Sequence, residues 1–215
     1  MSQNSTSPLE SFDLRAVIQK AAGSEDLTAF EAEFVFDVFM EGEATPVQMA
    51  ALLTALRVKG VAPGEVAGGV RALRKAMIPI QAGSPDELVD TCGTGGGAVT
   101  TFNISTAAAL VARGAGAQIA KHGNRSFTSR SGSADVLEAL DVRIELSPEE
   151  MARVLEEVGI VFMFAPLLHP SMRHVGPVRR ELSFPTIMNI LGPLTNPAGV
   201  RRQLVGVADP ALVPL

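Results

Sequence analysis

Between Asp90 and Asp135 the chain runs for 44 residues without a carboxylate, and this stretch carries most of the side chains able to do chemistry. An even scatter of the 23 acids over 215 residues would place roughly five there. In their place stand Gly93, Gly95, Gly96 and Gly97, the hydroxyls of Ser126, Thr128, Ser129, Ser131 and Ser133, and the cations Lys121, Arg125 and Arg130. Glycines that let backbone N–H groups approach closely, hydroxyls that donate, and a few cations are the chemistry of an anion site, phosphate being the commonest such anion.

The elements that must position these groups are legible around them. Leu88 to Cys92 reads as a short strand that delivers the glycine turn. Asn103, Ile104, Ser105 and Thr106 precede an Ala-rich run, as capping residues opening a helix whose first N–H groups attract phosphate. Lys121 to Ser126 follows the apolar Ala117 to Ala120, which places it at the carboxyl end of a second parallel strand, the edge where ligands bind in open α/β sheets. Taken singly, each piece reads equally as a tight turn, a plain cap or a solvated cation. Three strand-to-helix junctions inside one acid-free window carry the argument together.

Residues 9–80 read as helices. Phe12, Leu14, Val17 and Ile18 form one short apolar face, and Phe30, Phe34 and Val38, with Val35 and Phe39 beside them, repeat at helical spacing until Gly42. Thr45-Pro46-Val47-Gln48 has the pattern of a capping box with proline at the first helical position, leading into Met49, Leu52, Leu53 and Leu56 and stopping at Gly60. Another helix starts near Pro63, with Val66, Val70, Leu73 and Met77 on one stripe. From residue 88 the pattern becomes strand and helix in alternation, with strands near 88–92, 117–121, 160–164 and 203–207 and helices near 105–115, 133–140, 148–158 and 170–182. Ser147-Pro148-Glu149-Glu150 starts the third of these helices and Gly159 closes it. The expected fold class is therefore α/β, a helical domain over 1–80 that later helices complete, then a mainly parallel-sheet domain over 81–215.

Composition narrows the function. A net charge of −5 with neither Trp nor Tyr argues against a nucleic-acid surface, which needs a broad basic face and stacking aromatics. Cys92 is the single cysteine, so no intrachain disulfide forms, which fits a reducing cytoplasm; beside the glycine turn it reads as a small buried residue ending a strand rather than a nucleophile. Met1 to Pro8 is polar, without the basic and apolar regions of a signal peptide, and no stretch approaches a membrane span. His169 to Arg180 is a basic stretch in which Arg179 is a candidate for holding a carboxylate bidentately. Asn189 to Pro197 is a rigid, apolar, proline-rich loop that walls a pocket or joins elements.

These residues resemble the anthranilate phosphoribosyltransferases over essentially the whole chain. The resemblance rests on Gly93-Thr94-Gly95-Gly96, Asn103-Ile104-Ser105-Thr106, Lys121-His122-Gly123-Asn124-Arg125, Ser131-Gly132-Ser133-Ala134-Asp135 and Gly192-Pro193-Leu194-Thr195-Asn196-Pro197. It implies a helical domain and an α/β domain of the type shared with nucleoside phosphorylases, a site in the cleft between them, and a cytoplasmic homodimer formed through the helical part. It implies that 5-phosphoribosyl 1-diphosphate lies on Gly93, Gly96 and Gly97, with Thr101, Asn103, Ser105 and Thr106 around its phosphates. The loop Lys121, His122, Gly123, Asn124, Arg125, Ser126, Phe127, Thr128 and Ser129, together with Ser133, completes that set, and Ser105 also touches a Mg²⁺. Anthranilate is held by Gly93, Asn124 and Arg179. The implied reaction needs no covalent nucleophile: the aromatic amine attacks the anomeric carbon as diphosphate leaves, Lys121 and Asn124 position the transition state, and His122, His169 and His174 are structural or positioning groups.

Three departures from the family pattern stand out: Gly97 where many members carry Asp, Pro185 where members often carry Arg, and an end at Leu215 where the family continues. Val205 to Ala208 reads as a buried parallel strand and Asp209-Pro210-Ala211-Leu212 as the first turn of a helix, so the sequence leads one to expect a fragment that folds poorly alone, aggregates and turns over little. A non-catalytic, nucleic-acid-binding relative and a nucleoside phosphorylase are the competing readings.

Overall fold

The computed structural model describes residues 12–81, 83–95, 101–126 and 131–215. The chain divides into two compact units: one gathers the described residues of Met1–Ala76 with Ser171–Leu191 and Leu215, the other Met77–Pro170 with Gly192–Pro214.

The first unit is helical. It contains α1 (Leu14–Ala22), α2 (Ala29–Glu41), α3 (Pro46–Lys59), α4 (Pro63–Ala76) and, from later in the chain, α9 (Met172–Leu182) and α10 (Met188–Leu191). Local chemistry sets the ends. Thr28 with Glu31 and Thr45 with Gln48 form reciprocal capping boxes, the Thr45 hydroxyl accepting from the Gln48 N–H at 3.3 Å while the Gln48 side chain accepts from Thr45 N–H at 2.9 Å. Gly42 closes α2 in the left-handed region, with the His174 ring packed where a Cβ would stand. The buried face of α2 is Ala32, Val35, Phe36, Phe39 and Met40 rather than the Phe30, Phe34 and Val38 stripe, and Phe30 is 59% exposed beneath the Arg71 guanidinium. The helix is apolar on most of its circumference, so periodicity alone does not select the inward face.

Helices α2 and α4 touch almost backbone to backbone. A Cβ on Gly68 would meet the Ala29 carbonyl oxygen at 2.3 Å and the Ala32 Cβ at 2.7 Å. Gly68→Ala is expected to force the helices apart and destabilise the unit by about 3 kcal/mol, the upper range for overpacking. A denaturant melt within error of the native chain would show that the helices separate without cost.

The second unit carries a four-stranded parallel sheet in the order β3-β2-β1-β4, from β1 (Leu88–Gly93), β2 (Gln118–Gly123), β3 (Ile160–Phe164) and β4 (Arg202–Gly206). Between them lie α5 (Ile104–Gly114), α6 (Ser133–Ala139), α7 (Pro148–Val158) and the one-turn α8 (Ala165–Leu168). The two-residue period of β3 divides the core: Val161 and Met163 join Leu88, Ala120, Met151, Leu155 and Leu168, whereas Phe164 joins Ala134, Leu137 and Ile144 with Phe162 packed against them. Ser147 and Glu150 cap α7 reciprocally and Gly159 ends it at φ 77°. Asp209 to Leu212 forms a single 3-10 turn capped by Asp209, not the start of an α-helix.

Candidate active site

The carboxyl ends of β1 and β2 and the amino ends of α5 and α6 meet. The Thr91 hydroxyl donates to the Ser105 carbonyl at 2.7 Å and ties the end of β1 to the first turn of α5. The Thr106 hydroxyl donates to Ser133 Oγ at 3.0 Å, and Asn103 Nδ2 donates to the Ser131 carbonyl at 3.2 Å, tying α5 to the start of α6. Asn103 thus occupies the cap position of α5 without capping it; its amide reaches across the site instead. Among the described residues, the hydroxyls of Thr91 and Thr106 thus tie neighbouring elements of the site together.

Lys121 lies at the centre. Its ammonium donates to the Thr91 carbonyl and lies 3.4 Å from Ser105 Oγ. The sequence suggests a cation in a solvated cleft; Lys121 is instead only 3% exposed, because its position in β2 directs it under α5. Burial lowers its pKa, partly offset by the Asp90 charge. A half-compensated ammonium beside a carbonyl and a hydroxyl is suited to an oxyanion.

The turn after β2 is anchored by Asp135, whose carboxylate accepts from the N–H groups of Gly132 at 2.6 Å and Ser126 at 3.1 Å, bonds that hold its pKa below the usual range. Gly132 is obligatory here, since a Cβ would meet the Ser126 nitrogen at 2.5 Å. Asn124 belongs to the same turn, accepting from Arg125 N–H through its side chain at 2.7 Å and from Ala134 N–H through its carbonyl at 3.3 Å. Arg125 is engaged elsewhere: Glu138 binds its guanidinium at 2.6 and 3.2 Å, and the ring of Phe164 lies 4.8 Å from it. Gly93 pairs with Gly206, where a Cβ would meet the partner carbonyl at 3.2 Å, and Thr94 N–H continues the pairing at 3.0 Å. Thr101 is exposed. Gly96, Gly97, Phe127, Thr128 and Ser129, together with Arg130, lie outside the described residues.

His122 and His169 are both 8% exposed, their rings 5.0 Å apart, and neither Nε2 has a hydrogen-bond partner among the described residues. Burial lowers the His122 pKa to about 3 and that of His169 to about 4. Neutral imidazoles of this kind do not act as bases that hold a proton near pH 7. Cys92 is no nucleophile either, since burial and the nearby Asp90 charge push its thiol up to about 12. Arg179 stands on α9 of the helical unit, half-buried, with no carboxylate bound to it among the described residues.

Whether these residues suit Mg²⁺ turns on their donors. Ser105 Oγ faces an ammonium, and among the described residues no three His, Cys, Asp or Glu side chains gather to hold a metal. Mg²⁺ ordinarily takes one or two protein carboxylates besides phosphate oxygens. The described residues therefore do not form a protein-held Mg²⁺ site.

Residues that the sequence reading passed over lie directly beneath. Asp90, fully buried, binds Asn196 and Gln203, which link the Gly192–Pro197 loop and β4 to the strand ends. The available signal was an acid at an inward position of an apolar strand, two residues after Leu88.

Residues 85–215 match the a/b domain of the glycosyl transferase family, and residues 15–77 match its helical bundle domain. The chain belongs to the glycosyl transferase family. Within that family it is similar to the anthranilate phosphoribosyltransferases. It is 61% identical to that of Rubrobacter xylanophilus over 90% of this chain and 56% of the relative, and 55% identical to that of Thermomicrobium roseum over 92% and 57%. The crystal structure of the Thermus thermophilus enzyme superposes with a TM-score of 0.87 at 46% identity, covering 92% of this chain and 60% of that one. The Saccharomyces cerevisiae enzyme in complex with PRPP and Mg superposes with a TM-score of 0.85 at 28% identity, covering 94% and 60%. The chain thus spans rather more than half the length of the relatives it matches. A helical bundle followed by a parallel-sheet α/β domain is the family's fold, as the sequence resemblance implies, and no helix among the described residues is long and apolar enough to cross a membrane.

Proposed function

We propose that the chain serves the transfer of the phosphoribosyl group of 5-phosphoribosyl 1-diphosphate to the amine of anthranilate, a step of tryptophan biosynthesis in the cytoplasm. The observation that carries this reading is the Lys121 ammonium, buried beside Ser105 and Thr91 where two strand ends and two helix starts converge. The S. cerevisiae relatives, one with PRPP and Mg and one with 4-fluoroanthranilate, support both substrates. Gly93, Asn103, Ser105, Thr106, Lys121 to Ser126 and Ser133 bind the phosphoribosyl diphosphate, and Gly93, Asn124 and Arg179 bind anthranilate. The amine nitrogen forms a bond to the anomeric carbon as the carbon–oxygen bond to diphosphate breaks, and the amine then loses a proton. Charge developing on the departing diphosphate is met by Lys121, so electrostatic stabilisation and positioning supply the rate without a covalent intermediate. The S. cerevisiae complex with PRPP and Mg supports use of Mg²⁺ alongside that substrate. A homodimer through the helical domain over 1–80 is part of the same reading.

Calorimetric titration of the 215-residue chain with phosphoribosyl diphosphate is expected to show saturable binding, and loss of anthranilate fluorescence follows turnover. A folded chain that ignores phosphoribosyl diphosphate but cleaves a nucleoside with phosphate, or retains single-stranded DNA at physiological salt, would replace this function. Arg179→Ala is expected to weaken anthranilate binding by about 2 kcal/mol, the worth of a charge-assisted pair, and to spare phosphoribosyl diphosphate. Equal losses for both substrates would remove Arg179 from the carboxylate.

A further inference from the structure

The backbone pairing between β1 and β2 stops short at one place. β1 pairs with β4 from Val89 to Gly93, and β2 pairs with β3 from Ile119 to Gly123, but β1 and β2 pair only at Leu88–Gln118 and Val89–Ile119. From Asp90 onward a side chain does what a strand backbone would have done: the Asp90 Oδ1 accepts from the His122 N–H at 3.2 Å. On Oδ2 it accepts from Asn196 Nδ2 at 2.9 Å and from Gln203 Nε2 at 3.2 Å.

Backbone groups fix the direction of every bond in this cluster. Asn196 must turn its oxygen to Ala198 N–H, at 2.9 Å, and its nitrogen to the Ala120 carbonyl, also at 2.9 Å. Gln203 must turn its nitrogen to the Pro193 carbonyl at 2.8 Å. Flipping either amide would set oxygen against oxygen. Both therefore present N–H groups to residue 90, and with His122 they make three donors for one side chain, which only an ionised carboxylate accepts in full. Burial raises the Asp90 pKa, while Asn196, Lys121, His122 and Gln203 oppose it.

We propose that Asp90 is a positioning residue for the phosphate side of the site: one carboxylate holds the His122 backbone, the Pro193–Asn196 loop and β4, and so sets where Lys121 stands beside the Thr91 carbonyl of β1. The inference rests on the reading of Lys121 as a phosphate contact. Asp90 does not touch the substrate; it acts through the backbone that carries Lys121 and His122.

Asp90→Asn has the same shape but adds a donor where three already point. Its expected signature is a retained cooperative melt, phosphoribosyl diphosphate affinity lowered about tenfold to a hundredfold, as for other groups that orient a ligand-binding side chain, and an upfield shift with faster hydrogen exchange of the His122 amide while the amides of β3 stay unchanged. Native affinity in Asp90→Asn overturns the proposal. If the native chain itself binds no phosphoribosyl diphosphate, the proposed function fails, yet the His122 amide still decides Asp90: an unmoved resonance overturns the positioning role, a moved one sustains it. Should Asp90→Asn fail to fold, Gln203→Met removes one donor and leaves the carboxylate ionised; a smaller loss of affinity with a shifted His122 amide sustains the proposal, and neither change overturns it.

Discussion

Glu65→Ala is expected to lower the unfolding free energy of the helical unit by about 3–5 kcal/mol, the penalty for stranding one member of a buried ion pair. Glu65 is completely buried at the start of α4 and accepts from Leu27 N–H at 3.0 Å, Ala62 N–H at 2.8 Å and the Lys59 ammonium at 2.9 Å. It joins the entry to α2, the exit of α3 and the first turn of α4. Lys59 has a side chain only 3% exposed, and its other carboxylate, Asp26, is mostly in solvent. Truncation therefore leaves two backbone donors unpaired and a buried cation held from one side. The exposed pair of Arg201 and Asp86 provides the contrast: Arg201→Ala is expected to change stability by no more than about 0.5 kcal/mol. Urea melts of both variants check the pair of values, and a Glu65→Ala effect as small as that of Arg201→Ala would refute the linking role.

Lys121→Met is expected to cost about 2 kcal/mol of phosphoribosyl diphosphate affinity, roughly thirtyfold, while leaving the fold at least as stable as before. Methionine fills a similar volume, and a buried ammonium facing a carbonyl and a hydroxyl destabilises the unliganded fold in a way that an apolar chain does not. The sign follows from linkage. Burial holds the Lys121 pKa below 10.5, so above its folded pKa the unfolded chain binds more protons than the folded one and native stability recovers as pH rises toward 10.5. The advantage of Lys121→Met should be full at neutral pH and shrink on the alkaline side. Calorimetry of binding and pH-resolved melts test both halves. A variant that binds phosphoribosyl diphosphate as the native chain does would take Lys121 out of the anion site.

What the sequence made legible is what depends on neighbours in sequence. The span of β3, the span of α7 and the capping boxes at Thr45 and Ser147 follow from residues within four positions of one another. The nearness of Lys121 and Ser105 was legible because each stands at a strand-to-helix junction, whereas Ser133 entered through the family resemblance. Features set by distant partners were not. The inward face of α2 is ambiguous where apolar residues encircle the helix, and packing against α4 decides it. The burial of Lys121 depends on α5 crossing over β2, and the use of Asn103 depends on a partner 28 residues away. Asp90 finds its amides 106 and 113 residues later, beyond the reach of any local pattern.

Neither compact unit is a continuous piece of chain, and this constrains the order of events during synthesis. The first four helices leave the ribosome well before α9 and α10, which belong to the same unit, and β1 is made long before β4, whose first pairing, Arg202 with Val89, spans more than a hundred residues. Closing a loop of that length carries an entropic cost that only the completed pairing offsets, and such distant contacts form late. Between α8 and β4 the nascent chain must leave the sheet, finish the helical unit and come back. Until it returns, Asp90 waits inside a half-built sheet for Asn196 and Gln203, so this carboxylate is satisfied only after more than a hundred further residues have been made.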